Sequence, residues 1–440
     1  MSGSPDKASD FRPQRTLALT LLSFVSVLSM ADRVLLGIVT EPVKRDLMLN
    51  DTQMSLVNGF LFVAFNLGAG LFIARWVDRS NRKRILALGL AAWTIATAMT
   101  GWAQGFFMLG LSRILVGAGE ATVVPVAISI IADLYEPSAR PRAVGIFQTS
   151  NFFGLVGGSV LAGVLSAMHG WRSMFVIFGI AGLALLLLVL CLLREPARND
   201  SQTSLPPQSR AKLVQSVVAI LRIPGFSLLG LGLGCSAMGV TVLAAWAPAF
   251  LQRSHGVPLA EVGAVTGPAI GIGGISGTLI SGLIASWLVR RSGSDSASLL
   301  IPVIALPMAA PCFAAFVLLP SLGGALAAAG VMNFLLSAAV APCMALSIAL
   351  VTAWNRGMAS TLLLFANGII AGALAPFLVG TLSDALTPAL GDEALRYAIL
   401  SMAPTPLFAA VLLWIARSRM NARQAVPATC AQKESFNACT

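Results

Sequence analysis

Apolar residues along this chain come in long unbroken runs, not in alternation. Twelve such runs of about 20 residues or more fall near 16–39, 53–76, 84–103, 107–132, 142–167, 173–193, 226–250, 260–289, 298–320, 323–350, 357–383 and 397–416. A continuously apolar run of that length predicts a membrane-spanning helix, whereas a strand of a membrane barrel would alternate. Gly117, Gly119, Pro125, Pro268 and Pro376 lie inside the runs, where membrane helices tolerate them. An N-terminal cleaved signal is not expected, because the run from Leu17 continues past Asp32-Arg33 to Val39. The predicted class is an all-α membrane protein with 12 transmembrane helices.

The longest polar connection lies midway. It predicts a tail at 1–15, a six-helix bundle at 16–195, a linker at 196–225, a second bundle at 226–417 and a disordered tail at 418–440. Within the linker, 211–221 reads as a short amphipathic helix on the membrane surface. Arg142, Gly154 and Gly158 on the fifth span recur as Arg356, Gly368 and Gly372 on the eleventh. The constant offset supports two pseudo-symmetric halves, as in a two-halved transporter.

Composition agrees. Hydrophobic residues make up 57% of the chain and charged ones only 11%, against about 25% in soluble domains. The net charge of +11 does not indicate nucleic acid, because the basic residues sit in short runs between apolar segments. With both termini cytoplasmic, 22 of the 29 Lys and Arg residues fall on the cytoplasmic side and five outside. Arg33 and Arg113 stay within spans. That bias predicts an inner-membrane protein with both termini in the cytoplasm. No CxxC or Cys/His cluster is present, so neither a metal nor another cofactor is expected.

The loop after the second span reads Ala74-Arg75-Trp76-Val77-Asp78-Arg79-Ser80-Asn81-Arg82-Lys83-Arg84. It resembles the signature of the major facilitator superfamily, with Ala74 and Asn81 where glycines are usual. The matching place after the eighth span, Ala285–Gly293, keeps Arg290 and Arg291 but has Val289 instead of the acid. Asp32-Arg33, Thr40-Glu41-Pro42, Arg113-x3-Gly117-x-Gly119-Glu120, Asp133-Leu134-Tyr135, Gly170-Trp171-Arg172 and Arg194-Glu195-Pro196 narrow the resemblance to the spinster-like branch. The resemblance implies the major facilitator fold and alternating access. Eukaryotic spinster-like proteins carry lysophospholipids and sphingolipids.

Charge within a span costs about 3 kcal/mol on insertion scales, so it usually marks function. Asp32, Arg33, Arg113 and Glu120 qualify. Arg113 and Glu120 are seven residues apart, on one helix face and about 10 Å apart along the axis. Counting rises from the span ends puts Asp32, Arg33 and Arg113 at similar depth in the outer half and Glu120 nearer the midplane, and an acid–base cluster between spans 1 and 4 is the expectation that follows. These four are the candidate proton-coupling and substrate residues, and the resemblance implies the same role. A carboxylate beside an arginine stays charged, and one closed off from water and partner takes up a proton. The freed arginine would hold an anionic substrate group. A fixed salt bridge is the plain alternative.

The signature implies a conformational gate of Asp78, Arg79, Arg82, Lys83 and Asp133. Cavity candidates are Asn58, Gln148, Asn151, Trp246 and Asn367, with Phe147 and Phe153 as further apolar lining. A membrane enzyme would need a Ser/His, His/Glu or paired-Asp set within the spans, and none is present. The expected protein is a monomeric secondary transporter, with a proton as coupling ion. Its partners are membrane lipid and a small amphipathic or anionic substrate. Uptake of small carboxylates and multidrug-type efflux are the alternatives.

Overall fold

The computed structural model describes residues 7–136, 138–196, 210–352 and 355–425. Every regular element among them is helical. Nine helical stretches are long and apolar enough to cross a membrane. Two of these, Arg142–Leu192 and Arg356–Asn421, hold two passes each. The 19-residue helix Arg82–Thr100, about 28 Å long, completes twelve.

Span 1 is Lys7–Ile38. It starts earlier than predicted, so the expected tail at 1–15 is helical from Lys7 onward. Span 2 comprises Asp51–Ser55, a π-helical turn at Leu56–Leu61 and Phe62–Arg79. Span 3 is Arg82–Thr100, started by Asn81, whose side chain accepts from the Arg84 backbone N–H. Span 4 breaks directly after its acidic residue, into Phe106–Glu120 and Val123–Leu134.

Spans 5 and 6 share the helix Arg140–Leu192, which is interrupted at Gly170 (φ 82°, ψ 157°). That backbone angle strongly disfavours a side chain, and glycine lets the chain reverse there. The linker helix is Arg210–Leu221, close to the predicted 211–221.

Spans 7 and 8 are Phe226–His255 and Leu259–Ser292. Span 9 is Leu300–Leu318. Span 10 breaks into Leu322–Ser337 and Val340–Ala349, as span 4 does. Span 11 holds a second π-helical turn at Gly368–Leu374, between Arg356–Asn367 and Ala375–Leu390. Span 12 is Ala394–Leu400 with Thr405–Ala425. The expected disorder at 418–440 is therefore corrected as far as Ala425, and 426–440 lie outside the described residues.

Packing shows where the halves meet. One buried core, with Leu22, Trp93, Val126 and Phe147, lies wholly within spans 1–6. The larger core joins spans 7–12 to Leu35, Leu36, Val43, Val57 and Phe175 of the first half. Those residues belong to the part of the first half far from the termini. Close backbone approaches between the halves lie there too. A Cβ at Gly263 would stand 1.8 Å from the Ser159 carbonyl, so spans 5 and 8 touch only because that residue has no side chain.

The repeated glycines have different tasks in the two halves. Gly154 and Gly158 admit Val27 and Ala31 of span 1 in their own half, while Gly368 and Gly372 admit Leu67 and Val63 of the opposite half.

Candidate functional site

Four charges meet between spans 1 and 4. Arg33 Nε donates to Glu120 Oε2 at 2.7 Å. Ser29, one turn earlier, donates to the same oxygen at 2.9 Å. Asp32 lies 3.8 Å from an Arg113 terminal nitrogen and accepts from Thr97 of span 3 at 3.0 Å. Adjacent residues of span 1 thus pair with residues seven apart on span 4. The break after Glu120 is closed locally by Thr122, whose hydroxyl donates to the Gly119 carbonyl at 2.8 Å.

Phe62 of span 2 lies under both guanidinium groups. Its ring centroid is 5.3 Å from the Arg33 guanidinium carbon and 5.2 Å from that of Arg113. Both distances fall within cation–π range. The ring follows the π-helical turn of span 2. One ring thus contacts both cations at the place where that helix changes phase.

The cluster is under-satisfied. Asp32, Arg113 and Glu120 are buried, yet Asp32 Oδ2, Glu120 Oε1 and two Arg113 nitrogens have no hydrogen-bond partner. A buried polar atom left unpaired costs about 1–3 kcal/mol. The Arg33 side chain is 36% exposed, so it is the member that reaches open space. The predicted quartet is assembled as expected, but Ser29, Phe62 and Thr97 were missed. A hydroxyl or a ring carries no charge signal in a sequence, and Thr97 is 65 residues from its partner.

The signature residues behave differently from the expected gate. Arg82 is buried and donates to Glu195 (2.8 Å), to the Pro196 carbonyl (2.8 Å) and to Asp133. The Lys83 backbone donates to Glu195 and its Nζ to the Leu190 carbonyl, both at 2.7 Å. All these partners belong to the first half. Arg82, Lys83 and Asp133 thus tie spans 3, 4 and 6 together and do not bridge the halves here. The side chains of Asp78 and Arg79 lie outside the described residues.

A different set bridges the halves, at the end away from the termini. Arg253 of span 7 reaches both oxygens of Asp51 (2.9 and 2.8 Å) and Glu41 at 2.7 Å. Asp51 also accepts from Lys44 at 2.5 Å and from Ser383 of span 11 at 2.7 Å. Asp384 accepts from the backbone of Asp51 and Thr52, at 3.0 and 2.7 Å. That carboxylate satisfies free N–H groups where span 2 begins. Among these residues the sequence reading touched Glu41 as part of a motif, and Lys44 and Arg253 as outer basic residues.

The cavity candidates divide. Asn151 accepts from Ser26 of span 1 at 2.7 Å and lies beside the exposed Gln148. Asn58 lies in the π-helical turn beside Gly37. Asn367 keeps a buried oxygen without a partner. Trp246 is corrected: it is buried and donates to the Pro376 carbonyl at 3.1 Å, tying span 7 to span 11. Phe147 is likewise core of the first half. Phe153 faces a separate apolar groove with Phe24 and Leu188.

Residues 22–333 match the Major Facilitator Superfamily. An MFS-type efflux pump of Mycolicibacterium smegmatis is 33% identical over 94% of this chain and 95% of its own. Protein spinster homolog 1 of Homo sapiens is 31% identical over 54% of this chain and 46% of its own. A crystal structure of a bacterial homolog of the human lysosomal transporter spinster, inward-facing and unoccupied, superposes with a TM-score of 0.84. It is 25% identical, covering 93% of this chain and 98% of that one.

Proposed function

Because the chain belongs to the Major Facilitator Superfamily as a spinster-like transporter, we propose that it is a proton-coupled secondary transporter for an amphipathic anion. The cell inner membrane would hold it, with both termini cytoplasmic, and it would work by alternating access. The observation that carries the proposal is the under-satisfied quartet. Two buried carboxylates and two guanidinium groups leave four polar atoms without a hydrogen-bond partner among the described residues, in a protein whose halves are fastened by the Arg253 network at the end away from the termini.

Such a cluster can exchange partners. When Glu120 takes a proton, the Arg33 guanidinium loses its counter-charge and becomes available to an anionic group entering from the open side. When the substrate leaves, Arg33 returns to Glu120 and the proton is released. Asp32 and Arg113 repeat this logic one layer deeper. Coupling then follows from differential affinity, since proton and anion both favour the arrangement in which Arg33 has left Glu120, so the two bind and leave together. Phe62 offers its ring to both cations while either carboxylate is neutral.

The test is transport in proteoliposomes with an imposed pH gradient, comparing a lysolipid with a small carboxylate. Gradient-driven accumulation of the lysolipid is expected, and Asp32→Asn or Glu120→Gln should abolish it while leaving the protein folded. Accumulation by either variant at the wild-type level would sink the coupling role.

A further inference from the structure

The two copies of the signature loop are filled differently. Counting from Ala74 and Ala285, Gly293 stands where Arg82 stands in the first copy. In the first half, the Arg82 side chain occupies the space between the loop, the end of span 4 and the Glu195-Pro196 segment. In the second half, a Cβ at Gly293 would meet nothing within 4 Å. Beside this loop, between the end of span 8, the start of span 9 and the end of span 10, lies a pocket of about 450 Å³. That is within the size range of small-molecule sites.

The lining has two chemistries. Ala285, Val289, Ala341 and Ala345 form an apolar floor, while Arg290 and Asp295 supply one charge of each sign. No ion pair joins Arg290 or Asp295 to another described residue. Trp287 is about half exposed one turn away, with the Arg291 guanidinium 5.3 Å from its ring. Such a Trp and Arg pair is typical of the level where the bilayer meets water.

We propose that this pocket binds the phosphoethanolamine headgroup of a bilayer phospholipid. The phosphate would lie against Arg290. The primary ammonium would lie against Asp295. The proximal acyl carbons would rest on the alanine floor. A headgroup with only negative charge would leave Asp295 facing an anion. A choline headgroup would bring no N–H donor.

Native mass spectrometry of the purified full-length protein tests this, with equimolar phosphatidylethanolamine, phosphatidylcholine and phosphatidylglycerol added. Phosphatidylethanolamine should be retained about five-fold over each rival, the scale of one partly exposed charged contact. Asp295→Asn should remove the preference, and Arg290→Gln should lower phosphatidylethanolamine retention by a similar factor. Ala345→Phe, which fills the pocket without touching charge, should do the same. Arg84→Gln, an exposed cation of the first half, should change nothing. Equal retention of the three lipids, or an unchanged preference in Asp295→Asn, would overturn the proposal.

Discussion

Of the charged clusters in this protein, two are built on opposite principles. The set at Arg253 joins the two halves and is saturated. Both oxygens of Asp51 are used, and Glu41, Lys44, Ser383 and Asp384 complete the network. The quartet at Glu120 stays within the first half and is incomplete, with Asp32 and Arg113 separated by 3.8 Å and four polar atoms without a hydrogen bond to a described residue. A saturated network holds one arrangement. An incomplete one leaves several arrangements close in energy, as a site that takes up and releases a proton with its ligand requires. The same residue types thus serve as a fastening in one place and as a switch in the other, and the difference lies in how many partners each is given.

The contrast can be broken at its stronger end first. Arg253→Gln leaves Asp51 and Glu41 close together without the guanidinium they share and, among the described residues, with only the Lys44 cation remaining on Asp51. It should cost about 3–5 kcal/mol of the fastened state, read as a lower melting temperature and as faster labelling of a cysteine placed at Thr387. Unchanged melting would mean that the network is not the fastening. Gly263→Ala drives a methyl into the Ser159 carbonyl and should cost about 1–3 kcal/mol by overpacking, with the same rise in labelling. Phe62→Leu removes two cation–π contacts. It should cost about 1 kcal/mol, seen as a several-fold weaker lysolipid affinity. Smallest in stability is Glu120→Gln. Its amide still accepts from Ser29, so melting should move by under about 1 kcal/mol while gradient-driven transport is lost. A large melting change there would make the quartet a second fastening and erase the distinction.

The sequence made one of the clusters visible and hid the other. Charges inside apolar runs are costly, so Asp32, Arg33, Arg113 and Glu120 stand out against their surroundings. Arg253, Lys44 and Asp51 lie at span ends, where charge is ordinary, and Arg253 is 202 positions from Asp51. Only folding brings them together. The outer basic residues offered a faint signal. Of the five, Lys44, Arg172, Arg253 and Arg396 all form ion pairs, with Asp51, Asp46, Glu41 and Glu393 among their partners. A cation on the side that disfavours cations is more often held by an acid than free.

Twelve spans were legible because each run is long and apolar. Their breaks were not, since Ala121-Thr122 and Ala338-Ala339 carry no helix-breaking residue. Trp246 was misplaced for a related reason. An aromatic residue in a span reads alike whether it lines a cavity or donates to a neighbouring carbonyl.

The π-helical turn at Leu56–Leu61 has a consequence for anyone mapping this helix onto a wheel. One π turn adds a residue relative to an α turn, and so rotates everything after it by about 100°. A wheel drawn without the extra residue would turn Phe62 away from both arginines and set Asp51 and Phe62 on faces they do not occupy. The same phase step recurs at Gly368–Leu374 in span 11, and the two π turns touch where Gly59 meets the Gly372 carbonyl. Comparisons of homologous spans in this region therefore need to be aligned by helical phase on each side of the turn, because residue count alone assigns the wrong faces.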